Sequence, residues 1–279
     1  MELKALVVDL DGSVYHGDQL IEKADEALNL LQKSYKILYL TNNSTGTRAD
    51  FARKLEHLGI PCQKDQIISS GYAAARYLKE QYEGSSVYLI GEHGLKQELL
   101  EEGLHLCATG PCDIVLIGLD NDFNYEKMNI ALSHLLKGAI LIATNTDPVL
   151  ITKGAIVPGA GALVASIEAA SGKKAMVTGK PSAFITDLIV TTLRVKPHEI
   201  LIIGDNLQTD ILMGIKSGMR TALVLTGVSK LSDIEHFQIR PDYIFKSIAE
   251  VPLRLAEGRD NQSSSPLSDE KGRESSVEK

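Results

Sequence analysis

Basic residues are in deficit in this chain of 279 residues: 29 Lys and Arg stand against 36 Asp and Glu, a formal net charge of −7. That balance argues against sequence-independent nucleic-acid binding, which needs clustered cations, and against docking on anionic lipid. Cysteine is sparse. Cys62, Cys107 and Cys112 are odd in number and form no CxxC pair, so they read as reduced, buried thiols rather than a disulfide or zinc framework. No uninterrupted apolar run reaches the ~18–20 residues that a membrane helix needs. The uncharged stretch from Gly154 to Ile167 is broken by Pro158, Gly159 and Gly161. Met1-Glu2-Leu3-Lys4 leads into a strand-like segment without a signal-peptide layout, and a cytoplasmic location is expected. There is no Trp and only 5% aromatic residues, but 44% hydrophobic and 23% charged residues are an ordinary globular balance.

What the chain does have is alternation. Leu6-Val7-Val8, Ile37-Leu38-Tyr39-Leu40, Val87-Tyr88-Leu89-Ile90, Ile114-Val115-Leu116-Ile117, Ile140-Leu141-Ile142, Ile200-Leu201-Ile202-Ile203 and Ala222-Leu223-Val224-Leu225 are unbroken apolar runs. Such runs suit parallel strands buried on both faces. Helix-period stretches lie between them, as at Ala24, Ala27, Leu28 and Leu31. The pattern predicts an α/β fold: a doubly wound, Rossmann-like parallel-sheet core formed by residues 1–82 and 175–257. Residues 83–174 make their own strand–helix series and are expected to form a smaller inserted α/β domain. Residues 258–279, rich in Ser and charge, are expected to be a disordered tail.

In open α/β sheets ligands bind outside the carboxyl ends of the strands. The first run ends in Asp9-Leu10-Asp11-Gly12-Ser13. Two carboxylates so close repel unless a cation neutralises them; Mg²⁺ is the simplest solution, a solvated turn the plain alternative. Gly12 lets the chain turn away. The second run ends in Thr41-Asn42-Asn43-Ser44, a neutral cradle for an anion or else a polar turn with Ser44 or Thr47 as helix cap. Lys180, in Thr178-Gly179-Lys180-Pro181-Ser182, is a point charge for phosphate or a surface lysine, with Pro181 suited to a first helical turn. The strongest run is followed by Gly204-Asp205-Asn206-Leu207-Gln208-Thr209-Asp210, where Asp210 could simply complement a helix dipole. Taken together, the four stations open on one sheet edge. They bring carboxylates, neutral donors and a cation, which suits Mg²⁺ plus a phosphoryl group.

In this order, Asp9-Leu10-Asp11-Gly12, Thr41-Asn42-Asn43, Lys180 and Gly204-Asp205 with Asp210 resemble the four motifs of the haloacid dehalogenase superfamily of phosphatases. The inserted domain is similar to the type-two cap of the branch holding 4-nitrophenyl, nucleotide, phosphoglycolate and sugar phosphatases. Ala143-Thr144-Asn145-Thr146-Asp147 and Pro158-Gly159-Ala160-Gly161-Ala162-Leu163 share that likeness. The resemblance implies that Asp9 is the nucleophile and Asp11 the general acid and base. It implies Mg²⁺ held by Asp9, Asp205 and the Asp11 carbonyl, and phosphate held by Thr41, Asn42 and Asn43. Lys180 would neutralise charge, and Asp210, with Gly12 and Asn206, would support the site. Asn145 and Asp147 are the candidates for cap residues facing substrate, though Asp147-Pro148 is also an ordinary turn opener. Ser13 and Gln208 depart from the commoner Thr and acidic residue. The implied substrate is a small phosphorylated metabolite, with no nucleic-acid or membrane partner and a possible homodimer through the cap. A phosphotransferase or mutase of the same superfamily, a receiver-like phosphoacceptor module and a metal–nucleotide glycosyltransferase are the competing readings.

Overall fold

A computed structural model describes residues 2–107, 110–152 and 155–263. The chain begins with β1 (Ala5–Asp9), a short hairpin of β2 (Tyr15–His16) and β3 (Gln19–Leu20), α1 (Ala24–Leu31), β4 (Lys36–Thr41), α2 (Arg48–His57), β5 (Ile67–Ser69) and α3 (Ser70–Gln81). There follow β6 (Ser86–Ile90), α4 (His93–Glu101), β7 (His105–Leu106), β8 (Ile114–Ile117), α5 (Tyr125–Leu136), β9 (Ile140–Ala143), β10 (Val149–Thr152), β11 (Ala155–Pro158), α6 (Ala160–Ser171) and β12 (Met176–Val177). The remainder is α7 (Ala183–Leu193), β13 (Ile200–Gly204), α8 (Leu212–Ser217), β14 (Arg220–Val224), α9 (Leu231–Phe237), β15 (Tyr243–Phe245) and α10 (Val251–Ser263).

The larger sheet has six parallel strands in the order β15-β14-β13-β1-β4-β5. Both of its faces are covered, which is why its strands read as continuous apolar runs. Leu6, Val8, Ile37, Tyr39, Leu201 and Ile203 face α1 and α2, while Ala5, Val7, Leu38, Leu40, Ile200 and Ile202 face α7 and α8. The chain leaves β1 towards β4 on one side and returns to β13 on the other. That reversal opens a crevice at the carboxyl end of β1. Register does the rest: Val8 lies opposite both Ile203 and Tyr39, so the residues after all three strands emerge on one rim.

The smaller sheet has five parallel strands in the order β12-β9-β8-β6-β7. One face packs on α5 and α6 through Val115, Ile117, Leu135 and Ile167. The other packs on α4 and on α3, the last helix before it, through Val87, Leu116, Leu95 and Leu78. The antiparallel hairpin β10–β11 projects between β9 and α6.

Four expectations need correction. Met176–Val177 pair with Ile142–Ala143, so the smaller sheet extends past the boundary of 174. The helix begun at Val251 keeps its backbone ladder through Ser263, because propagation from an anchored turn is easier than nucleation. The expected tail therefore starts later than 258, and its remaining residues, 264–279, lie outside the described ones. Cys62 is buried and free, but Cys107 and Cys112 form a disulfide, with their Cα atoms 6.3 Å apart. That pairing withdraws the thiol argument for a reducing compartment. Pro181 follows a cis peptide bond and precedes the helix cap Ser182, so it lies outside the first turn of α7. No helix among the described residues is long and apolar enough to cross a membrane.

Candidate active site

All four stations meet at the crevice. Asp9, the last residue of β1, is buried, and its Oδ1 accepts a hydrogen bond from Lys180 Nζ at 2.5 Å. The same ammonium donates to Asp210 Oδ1 at 2.7 Å. Burial alone would lower the Lys180 pKa, but Asp210 and Asp9 together hold it above its ordinary value. Burial drives the Asp9 carboxyl well above the carboxylate range, with Lys180 pulling against it. Asp205, one residue past β13, is pushed up to about 7 by burial and by its neighbour Asp210. Carboxylate oxygens of Asp9, Asp205 and Asp210 lie within 4.8 Å of one another.

Local backbone explains how these acids come so close. Gly12, at φ +85°, passes against Asp205; a Cβ there would lie 2.5 Å from Asp205 Oδ2. Such an approach requires glycine. Gly227 presses on the same carboxylate, and the N–H of Val228 donates to Asp205 Oδ2 at 2.6 Å. A π-helical turn, Leu207–Ile211, with Asn206 as its cap, swings Asp210 back under Gly204, where a Cβ would collide with it. Asp210 Oδ2 also accepts the Asn206 N–H at 3.3 Å.

Asp11 is held by the turn that returns to Tyr15. Its Oδ2 is buried without a hydrogen-bond partner, and burial raises its pKa. Ser13 Oγ donates to Asp9 Oδ2 at 3.2 Å. The residues after β4 form a folded polar loop rather than a loose turn. Asn43 N–H donates to Thr41 Oγ1, and Thr45 donates twice to Asn43 Oδ1. The helix that follows is capped by Thr47 rather than Ser44, whose Oγ is buried without a partner.

Asn42 binds the two domains together. Its Oδ1 accepts the Lys180 N–H at 2.9 Å, and its Nδ2 donates to Asp147 Oδ2 at 2.9 Å. Asn145 Nδ2 donates to the Asn42 carbonyl at 2.8 Å. Asn145 and Asp147 thus line the cavity, as expected of the cap candidates, while their polar groups are engaged by the core loop. Farther out, Glu98 of α4 is fully buried and accepts Arg48 N–H and Nε at 2.8 and 3.0 Å. The Arg48 guanidinium lies 3.5 Å over the Tyr72 ring.

Several lining residues were missed by the reading of strand ends. Thr226-Gly227-Val228 follows the apolar run of β14 and forms a fifth station: Thr226 Oγ1 donates to the Gly12 carbonyl at 2.6 Å. The signal was present, since that run also ends on this rim. Tyr15, His16 and Gly17 of the β2–β3 hairpin form one wall, and Leu119, Val149 and Leu150 of the smaller domain form part of the roof. The cavity enclosed is ≈ 530 Å³.

This arrangement fits a divalent cation. Three buried carboxylates converge with one ammonium between two of them, and hard cations favour oxygen ligands. Comparison with known proteins agrees with the geometry. Residues 6–105 match the model of the haloacid dehalogenase-like hydrolases, and residues 177–251 match a second model of HAD-hydrolase-like proteins. An acid sugar phosphatase of Staphylococcus aureus is 36% identical over 255 residues, covering 91% of this chain and 98% of that protein. The p-nitrophenyl phosphatase from Archaeoglobus fulgidus superposes with a TM-score of 0.86 at 28% identity, covering 91% of this chain and 100% of that one. NagD from E. coli K-12 superposes with a TM-score of 0.82 at 34% identity, over 90% of this chain and 98% of that one.

Proposed function

The chain belongs to the haloacid dehalogenase-like hydrolases and is a phosphatase of that type, and from this premise we propose that it hydrolyses a small phosphate monoester through an aspartyl-phosphate on Asp9. The observation that supports this reading is the convergence of Asp9, Lys180, Asp210 and Asp205 on one rim, with Asp11, whose Oδ2 is buried and unpartnered, beside them.

In the first step an Asp9 carboxylate oxygen attacks phosphorus, and the ester P–O bond breaks. Asp11, whose pKa is raised by burial, gives its proton to the leaving oxygen. In the second step Asp11 takes a proton from water as that water attacks phosphorus. The P–O bond to Asp9 then breaks, releasing inorganic phosphate and restoring both carboxyls. Lys180 pulls Asp9 toward its ionised form and aims it, and Asp210 keeps Lys180 in place. Thr41 and the folded Asn42–Asn43 loop receive the phosphoryl oxygens.

Asp9, Asp205 and the Asp11 backbone carbonyl would hold Mg²⁺, with Asp210, Gly12 and Asn206 in support. Bound there, Mg²⁺ supplies positive charge against the phosphoryl oxygens. The reading extends to a cytoplasmic enzyme acting on a phosphorylated metabolite, paired as a homodimer through the cap. Sugar phosphates, phosphoglycolate, nucleotides and 4-nitrophenyl phosphate are the candidate substrates.

The test is Asp9→Asn. Release of 4-nitrophenol should fall on the order of 10⁴-fold or more, because an amide cannot replace the nucleophile. Far-UV circular dichroism should be unchanged. Turnover near wild type in that variant would remove Asp9 from its role.

A further inference from the structure

The cavity wall is divided by charge. Five carboxylates line it, those of Asp9, Asp11, Asp147, Asp205 and Asp210, against one ammonium, Lys180. That ammonium already lies between Asp9 and Asp210 at 2.5 and 2.7 Å and is buried beneath them. Among the described lining residues there is no second Lys and no Arg. Two cations stand nearby without lining the cavity. Lys54 lies 3.8 Å over the Tyr15 ring, where its charge reaches Asp11, and Arg48 is engaged by Glu98 and Tyr72. Where the leaving group would lie, the wall is largely apolar: Tyr15, Leu119, Val149, Leu150 and Val228, with the amide of Gln208 and the imidazole of His16.

Resting on the phosphatase reading, we infer that this enzyme takes esters carrying a single phosphoryl group on an uncharged leaving group, a polyol, sugar, nucleoside or aryl alcohol. Leaving groups bearing a carboxylate or a second phosphate are discriminated against. The reason is electrostatic. The divalent cation and Lys180 can balance one phosphoryl group. A second anionic group in the same cavity would meet surplus carboxylates and a largely apolar roof whose described lining carries no Lys or Arg. Phosphoglycolate and bisphosphates therefore fall on the disfavoured side. A buried group left unpaired gives the larger discrimination, whereas the extra size of a neutral leaving group is tolerated in a cavity of ≈ 530 Å³.

The experiment compares kcat/KM for two matched pairs with the full-length enzyme and Mg²⁺. One pair is 4-carbamoylphenyl phosphate and 4-carboxyphenyl phosphate, nearly equal in shape. The other is sorbitol 6-phosphate and 6-phosphogluconate. The uncharged member of each should be favoured by roughly ten-fold or more, and added salt should narrow the gap. Val149→Lys, which brings an ammonium to a half-exposed roof position, should raise kcat/KM for the carboxylate members relative to their uncharged partners and so narrow the gap within each pair. Equal kcat/KM within both pairs in the wild type overturns the inference. So does a Val149→Lys variant that changes both members alike. Failure to turn over any of the four esters or 4-nitrophenyl phosphate overturns instead the phosphatase reading on which the inference stands.

Discussion

The floor and the roof of the cavity are built on opposite principles. The floor is the carboxyl rim of the six-stranded sheet. There Asp9, Asp205, Asp210 and Lys180 are all buried, and each is held by backbone donors, by glycines or by another charge. The roof comes from the smaller domain, and its described lining toward the cavity includes Leu119, Thr146, Pro148, Val149 and Leu150, with Asn145 and Asp147 tied to Asn42. Among the described lining residues four carboxylates and the ammonium lie below and Asp147 alone above, a division that separates two tasks. Phosphoryl transfer needs fixed dipoles and charges at one point. Selection among alcohols needs only shape and the absence of counter-charges, so the roof can vary without disturbing the reaction.

The largest break in that comparison is expected at Lys180. Lys180→Met keeps the length of the side chain and removes the ammonium that, among the described residues, faces three convergent carboxylates. Loss of such a preorganised charge should lower kcat for 4-nitrophenyl phosphate by about 10²–10³-fold or more. Leaving buried carboxylates uncompensated should also destabilise the chelated protein by roughly 3–5 kcal/mol. Steady-state kinetics and thermal melts in EDTA measure both. A variant with near-normal kcat would show that the floor does not depend on Lys180 for its charge balance.

The joint between floor and roof is a second place to test. Glu98 is contributed by α4 of the smaller domain, and Arg48 starts the helix that follows the Thr41–Ser44 loop. Glu98→Ala leaves a mostly buried guanidinium with half its partners and should cost about 3 kcal/mol of stability. Removing Arg48 as well should restore part of it, the signature of a coupled pair. Because Glu98 stands outside the cavity lining, kcat at a temperature where both proteins are folded should stay within a few-fold. A proportionate loss of kcat would show that the joint sets the geometry of the phosphate-binding loop and not just its attachment.

How much of this was legible beforehand depended on whether the determining contacts were local. Asp9, Thr41 and Asp205 could be found because parallel buried strands are unbroken apolar runs, and register brings their ends to one rim. The β2–β3 hairpin was not found, since two-residue strands carry no periodicity. Glu98 reads as one more charge on an amphipathic helix. Its burial is decided by an arginine 50 residues earlier. Asn42 looked like a phosphate donor, but only the folded chain brings it to Asp147, 105 residues away. The Cys107–Cys112 bond was missed for a related reason: parity and spacing alone do not say which thiols the folded chain brings together.

The mildest test of the contrast is titration, because the crowding of acids is confined to the floor. Burial raises Asp9, Asp11 and Asp205, and neighbouring carboxylates add to the rise at Asp9 and Asp205, the last going from 3.8 to about 7. When a carboxyl's pKa is higher in the folded state than in the unfolded one, the unfolded chain loses that proton first. The folded state then holds the greater number of protons between the two pKa values, and stability falls as pH rises through that window. The carboxyls of Asp113, Glu168 and Glu199 are lowered instead, by hydrogen bonds from Ser86, Lys174 and Lys4 respectively, so they have finished titrating below it. Chelated protein should therefore lose a few degrees of Tm between about pH 5 and pH 7.5. Mg²⁺ requires the deprotonated ligands, so its stabilising increment should grow over the same range and cancel the fall. Asp205→Asn should flatten both trends. A Tm in EDTA that rises across that window, or a Mg²⁺ increment independent of pH, would mean that the floor acids are not held as neighbours in the folded protein.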